Sequence, residues 1–456
     1  MFYVVIIFLI LISFFYWLQK KELREFFLFW FIIFLPASSL LPEDFVKIPG
    51  FRFEVLFGLG FLFIDLFTNR DHSLPPKLIW KTLKPAVLVY ALQMIFLIYT
   101  DLKSTISPYN TTVSETNFHI FLVRNLIFFI IFLRICFLLQ DGYFRKIVFN
   151  AITAGFILLG ISSFFSEIFA RLGLHTGTKY VFEPGIGNVF RSSGLYRGDP
   201  TQFSAFLSTG FGFAFALLLL SKTKMQRIYL IIVMVACFLG NLNTGTRAGF
   251  IGIVSIVIFY LLVEKQSFSK KSFILFIVFV GGIYLLFNFG DFFLARLETT
   301  GEQLSGADNA MSREAVWGAH ILYFIMNPGI WLFGTWQSVH VGPFILASHS
   351  TVLRYLVYAG IPFFILFYKN IFSIFSTYFK EKESFSFNFL YPLLGYLVPS
   401  LMNDNYDLAY LPLMLALGLF NPARLKLSGI FYSDFLKKKM ESTKTYEKAL
   451  ERKAQK

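Results

Sequence analysis

A chain of 456 residues, 56% of them hydrophobic and 62 of them phenylalanine, gathers its apolar residues into long uncharged blocks, which excludes a soluble domain. Ten-residue alternating segments, the mark of an outer-membrane barrel, do not occur. The formal net charge of +14 falls in alternate loops and in the tail, a topology signal rather than a nucleic-acid surface.

Blocks of roughly 17–25 apolar residues suit helices that cross the hydrocarbon core while satisfying their own backbone groups. The first block, Phe2 to Leu18, has no basic stretch before it and no small-residue cleavage site after it, so it is expected to stay as a span. Spans at 26–41, 53–68, 85–100 and 118–139 complete an N-terminal group over residues 1–146. A core over 147–420 adds spans at 147–170, 203–221, 228–243, 248–263, 272–289, 344–368, 386–402 and 408–420. The expected fold is an all-α polytopic membrane protein of about 12–13 transmembrane helices. Cys136 and Cys237 both lie inside apolar blocks and read as small packing residues, not as a disulfide or a metal pair. Residues 421–456 form a basic tail, where Lys437, Lys438 and Lys439 are expected near anionic lipid heads.

Orientation follows from the basic residues. Segments 19–25, 69–84, 140–146, 222–227, 264–271, 369–385 and 421–456 hold 28 of the 41 lysines and arginines, while Arg124, Arg134 and Arg354 fall inside spans. Positive charge favours the cytoplasmic side, so these segments and the C-terminus are expected there and the N-terminus outside. Three outward segments then stand out: 171–202, the tight connection from Asn243 to Arg247, and the longest loop, 290–343. In that loop Arg313, Trp317 and His320 are spaced i, i+4, i+7 and share one helix face. The helix is expected to lie along the membrane surface until Pro328-Gly329 breaks it.

Arginines kept on the face poor in basic residues are the candidates for chemistry. Arg191 and Arg197 flank Gly194 in Phe190-Arg-Ser-Ser-Gly-Leu-Tyr-Arg-Gly-Asp-Pro200, Arg247 lies in Thr244-Gly-Thr-Arg-Ala-Gly249, and Arg313 opens the loop helix. Planar guanidinium groups grip phosphate oxygens two at a time, so together they point to a phosphate or pyrophosphate ligand; singly, each also fits snorkelling to lipid head groups. His349, in Ala347-Ser-His-Ser-Thr-Val-Leu353, stands at the outer end of a span. A neutral imidazole there takes a proton from a sugar hydroxyl, or simply makes an interfacial hydrogen bond. The best outward carboxylate pairs, Glu43-Asp44 and Asp404 with Asp407, read as loop solvation, so no metal is expected. No P-loop, nucleotide fingerprint or HExxH occurs, and no other cofactor is expected.

Arg191-x-x-Gly194 followed by Asp199-Pro200 resembles the arginine motif of the bacterial O-antigen ligase and polymerase superfamily, and Thr246-Arg247-Ala-Gly249 resembles its second arginine motif. His349-Ser350, nine residues and Gly360 are similar to the ligase histidine pattern, which departs only where this chain has Phe363. The resemblance covers about residues 150–420, and the N-terminal third shares only its hydrophobicity. It implies a GT-C-like glycosyltransferase that takes a glycan from an undecaprenyl pyrophosphate carrier at the periplasmic face of the bacterial inner membrane. The acceptor is lipid A–core for a ligase, another repeat unit for a polymerase, and protein serine or threonine for an oligosaccharyltransferase. Transfer would be inverting and metal-independent. Arg191, Arg197, Arg247 and Arg313 would hold the pyrophosphate, and His349 would act as general base.

A lipid or polysaccharide transporter is the reading from another class. Convergence of the outer arginines and His349 on one outward site favours the enzyme, and a continuous path through the membrane favours transport.

Overall fold

The computed structural model describes residues 2–20, 22–37, 53–68, 76–106, 115–171, 179–183, 187–196, 199–221, 223–263, 313–335, 340–341, 344–345, 350–380, 388–402 and 410–419. Helices dominate. The first seven are α1 Phe2–Gln19, α2 Leu23–Phe34, α3 Phe53–Phe67, α4 Pro76–Ile106, α5 Glu115–Leu138, α6 Gly142–Ser162 and the short α7 Ser166–Arg171. A hairpin of β1 Lys179–Glu183 and β2 Gly187–Arg191 leads to α8 Pro200–Leu220, α9 Lys224–Thr244 and α10 Arg247–Val263. Beyond 312 come α11 Arg313–Met326, a two-residue hairpin of β3 His340–Val341 with β4 Phe344–Ile345, α12 Thr351–Ala359, α13 Ile361–Lys380, α14 Leu390–Met402 and α15 Leu411–Leu419. The two hairpins are small additions to a helical chain.

Among the described residues, five helices are long and apolar enough to cross a membrane: Trp80–Tyr99, Gly142–Ile168, Pro200–Leu220, Lys224–Thr244 and Ile361–Lys380. This is the build of an α-helical membrane protein. The expected span at 272–289 lies outside the described residues, as does the tail at 421–456. Side chains set several helix ends. Asp141 caps α6 by accepting from Tyr143 N at 2.8 Å, and Thr223 caps α9 by accepting from Gln226 N at 3.2 Å. Asp199 caps α8 with bonds from Thr201 N and Gln202 N, both 2.9 Å, and Pro200 occupies the first turn, where no N–H is needed.

Small residues let the central helices approach to backbone contact. α8 packs most extensively on α9 and α14, and α6 packs on α9. A Cβ at Gly160 of α6 would come 2.5 Å from Ala236 O of α9, and one at Gly395 of α14 would come 2.5 Å from Ser208 O of α8. Lipid gives helices little hydrophobic reason to associate, so this close fit is what joins them. Aromatic rings fill the space beside it: Phe206 packs at a tilt against both Phe156 and Tyr410, and Tyr410 Oη donates to Ile32 O at 2.8 Å, tying the start of α15 to α2.

One expectation is corrected. A single span at 344–368 does not form. Gly360 takes φ +86°, a conformation open to glycine, and the chain breaks there into α12 and α13. The turn segment after α11 packs against the break, with Ile361 N donating to Trp331 O at 2.7 Å and Thr335 N to Val357 O at 2.8 Å. Nine residues of α12 cover about 14 Å, too short to cross, so the long helix is displaced to Ile361–Lys380. The structure adds detail to α11. It ends as expected, at a 3-10 turn Pro328–Ile330. His320 is fully buried, its ring 6.3 Å from that of Tyr358, while Leu322, Ile325 and Met326 are exposed. The His320 face packs on α12, and the apolar face opposite it is the one left open.

Candidate functional site

The segment after β2 enters the protein instead of looping over it. Ser192, Ser193, Gly194, Leu195 and Tyr196 are all buried. Gly194 turns the chain with φ +53°, and a Cβ there would lie 2.3 Å from Ser162 Oγ and 2.7 Å from Ser163 N. Only glycine fits both the angle and the space. Tyr196 pairs with Ala37 in an antiparallel bridge and stacks on Phe203, centroids 5.2 Å apart, so the turn also rests on the end of α2 and the start of α8.

A second turn meets the first. α9 ends at Gly245, which is left-handed at φ +61°. Thr246 N then bonds to Thr244 Oγ1 at 3.2 Å, and α10 begins at Arg247. Ser192 N donates to Asn243 O at 3.1 Å. This bond joins the residue after Arg191 to the connection that carries Arg247. Both arginines are half-buried.

The structure therefore brings together the segments of Arg191 and Arg247. It places Arg313 at the first position of α11, where its backbone is described. Arg197 and His349 lie outside the described residues, as do Glu43, Asp44, Asp404 and Asp407. Ser350, next to His349, is buried at the N-cap of α12, and its carbonyl accepts from Arg354 N at 2.9 Å. Among the described residues no group of three or more His, Cys, Asp or Glu side chains could hold a metal ion.

Sequence reasoning missed two polar clusters. One is a set of serines on α6 and the segment after it, Ser162, Ser163 and Ser166, whose hydroxyls reach both arginine-bearing turns. Their presence in an otherwise apolar block was the available signal. The other lies at the opposite helix ends. Asp65 of α3 takes a bond from Arg24 Nη1 at 3.0 Å and two from Arg134, of which Nη2 is at 3.2 Å. Arg24 also reaches Glu25 at 3.3 Å and lies 4.3 Å over the Phe144 ring. Two arginines and two carboxylates balance there, as a buried charge requires. Close by, Tyr143 Oη donates to Glu22 at 2.6 Å. Glu22, Arg24, Glu25 and Tyr143 come from segments that the charge count put on one side, and the two arginine turns come from segments it put on the other.

No family model matches the chain, and no curated protein matches it either.

Proposed function

We propose that the protein is a membrane glycosyltransferase of GT-C-like build, which moves a glycan from undecaprenyl pyrophosphate to lipid A–core, with its site on the periplasmic face of a bacterial inner membrane. The observation that carries the reading is the bond between Ser192 N and Asn243 O, which fixes the Arg191 and Arg247 segments side by side at one set of helix ends. Two permanent cations so placed suit one pyrophosphate better than two separate lipid heads.

The reaction is a displacement at the anomeric carbon. The acceptor hydroxyl attacks it and gives its proton to His349, while the bond from the anomeric carbon to the pyrophosphate oxygen breaks. Negative charge grows on the departing undecaprenyl pyrophosphate, where Arg191 and Arg247, with Arg197 and Arg313, supply positive charge that no pH change removes. The bond to pyrophosphate is already activated, so the step needs no nucleotide and no metal. The bilayer holds both lipid-borne substrates in one plane and lowers the entropic cost of their meeting.

The reading is tested by reconstituting purified protein with an undecaprenyl pyrophosphate glycan and lipid A–core, with His349→Ala beside it. Glycosylated lipid A–core from the native protein and none from the variant is the expected result. Lengthened carrier-linked glycan would make the protein a polymerase. Glycan carried across the bilayer with no bond transferred would replace the enzyme with a transporter.

A further inference from the structure

The backbone donors of the Arg191 turn pose an accounting problem. Ser192 N is met by Asn243 O, but Gly194 and Leu195 are also buried, and their N–H groups have no regular sheet or helix partner. An orphaned N–H is costly in such a place. One helix end resolves it. Leu195 N donates to Ser162 Oγ at 3.0 Å, and Gly194 N donates to Ser166 Oγ at 3.0 Å. Ser192 Oγ bonds to Ser166 Oγ and donates to Ser163 O at 2.7 Å. On the same helix end, Ser163 Oγ accepts from Asn243 Nδ2 at 3.2 Å, four residues before Arg247.

Each hydroxyl works in both directions. Ser162 Oγ donates to Leu159 O at 2.7 Å and Ser163 Oγ to Gly160 O at 2.7 Å, while the one proton of Ser166 Oγ is shared between Ser163 O, 2.9 Å away, and Ser192 Oγ. The proton goes back to the helix, which leaves the oxygen lone pairs to accept from the turns. The helix tightens to a 3-10 turn at Ser163–Phe165 at this point. Ser162 and Ser166 hold the turn that follows Arg191, and Ser163 holds the connection that leads to Arg247.

We infer that Ser162, Ser163 and Ser166 are positioning residues, which set the spacing of the Arg191 and Arg247 guanidinium groups by hydrogen-bonding both of their segments to one rigid helix end. The inference rests on the proposed transfer reaction. A misplacement on the order of 1 Å in groups aimed at a developing charge lowers the rate strongly, so these hydroxyls act on turnover without touching substrate.

Two double-variant cycles test it in the reconstituted transfer assay, Ser163→Ala with Arg247→Lys and Ser166→Ala with Arg191→Lys, with unfolding temperature measured for every protein. A serine that acts through its arginine costs roughly tenfold in kcat in the native background and less than about twofold once that arginine is lysine. KM for the carrier-linked glycan is expected to change much less than kcat. A purely structural serine would instead give the same fold-loss in both backgrounds, which overturns the inference, as does full activity of both serine variants. The two cycles share no substitution, so one variant that fails to fold leaves the other decisive. Full activity in Arg191→Ala and Arg247→Ala, measured beside the cycles, would overturn the transfer reading itself, whatever the serines do.

Discussion

Gly194 concentrates the demands on the candidate site in one residue. Its positive φ and the closeness of Ser162 Oγ both exclude a side chain. Gly194→Ala is expected to destabilise the protein by about 1–3 kcal/mol and to lower transfer by more than its loss of folded protein explains. Thermal unfolding in detergent, run beside the assay, separates the two effects. The sequence made Gly194 legible as the centre of an arginine motif, because glycine between two arginines in a loop is a local pattern. It did not reveal the serines beneath. Ser162 and Ser192 lie thirty residues apart, and only the folded chain shows that the lone pairs of one serve the turn that follows the other. Asp65 shows the same limit. Arg134 stood out as a charge inside an expected span, but its partner came from a different helix. Asp65→Ala leaves Arg24 buried beside Glu25 alone, and is expected to cost about 3–5 kcal/mol of stability, read as a lower unfolding temperature. Asp65→Asn, which keeps the shape and loses the charge, should fall between the native protein and the alanine variant.

At the scale of the element, hydropathy located helices well and their interruptions poorly. The blocks at 147–170, 203–221 and 228–243 became α6 with its 3-10 extension, α8 and α9, because an unbroken apolar run has no better structure in lipid. The run at 344–368, which carries His349 and Arg354, also reads as a span, yet Gly360 divides it. What decides the break is the segment from Trp331 to Thr335, which supplies the partners for Ile361 N and Val357 O, and periodicity carries no trace of that segment. Helix starts were also misplaced where lysines lie in the first turns. α4 begins at Pro76, well before the apolar block at 85, because Lys77, Lys81 and Lys84 extend toward water along the helix without ending it. The crossing of α6 and α9 depends on Gly160 lying against Ala236 O. Gly160→Leu has no room there, and the purified yield of folded protein is expected to drop sharply, whereas Leu262→Ala, on an exposed face of α10, should leave it unchanged.

For the whole molecule, the described contacts sort the helix ends into two groups. Ala37, Tyr196, Ser192 and Asn243 meet at one end, and Glu22, Arg24, Asp65, Arg134 and Tyr143 meet at the other. The excess of basic residues belongs to the second group, which the positive-inside rule assigns to the cytoplasm. Cys136 and Cys237 are buried, so an added cysteine can be read alone. A membrane-impermeant maleimide applied to spheroplasts is expected to label Asn327→Cys and to spare Lys224→Cys until the membrane is opened; the reverse pattern would invert the orientation. The helical membrane class was legible, since hydropathy is local, and the two arginine turns could be named from their own residues. The linkage between those turns was not, because it consists of a few hydrogen bonds between distant segments.

The most direct measurement of the central claim is the initial rate of glycan transfer in proteoliposomes by the native protein, Arg191→Ala and Arg247→Ala, each shown to be folded by its unfolding temperature. If the two arginines stabilise one departing pyrophosphate, each variant should lose on the order of 10²–10³ in kcat while staying folded. Native rates in both folded variants would contradict the claim and leave these arginines as residues that only hold lipid head groups.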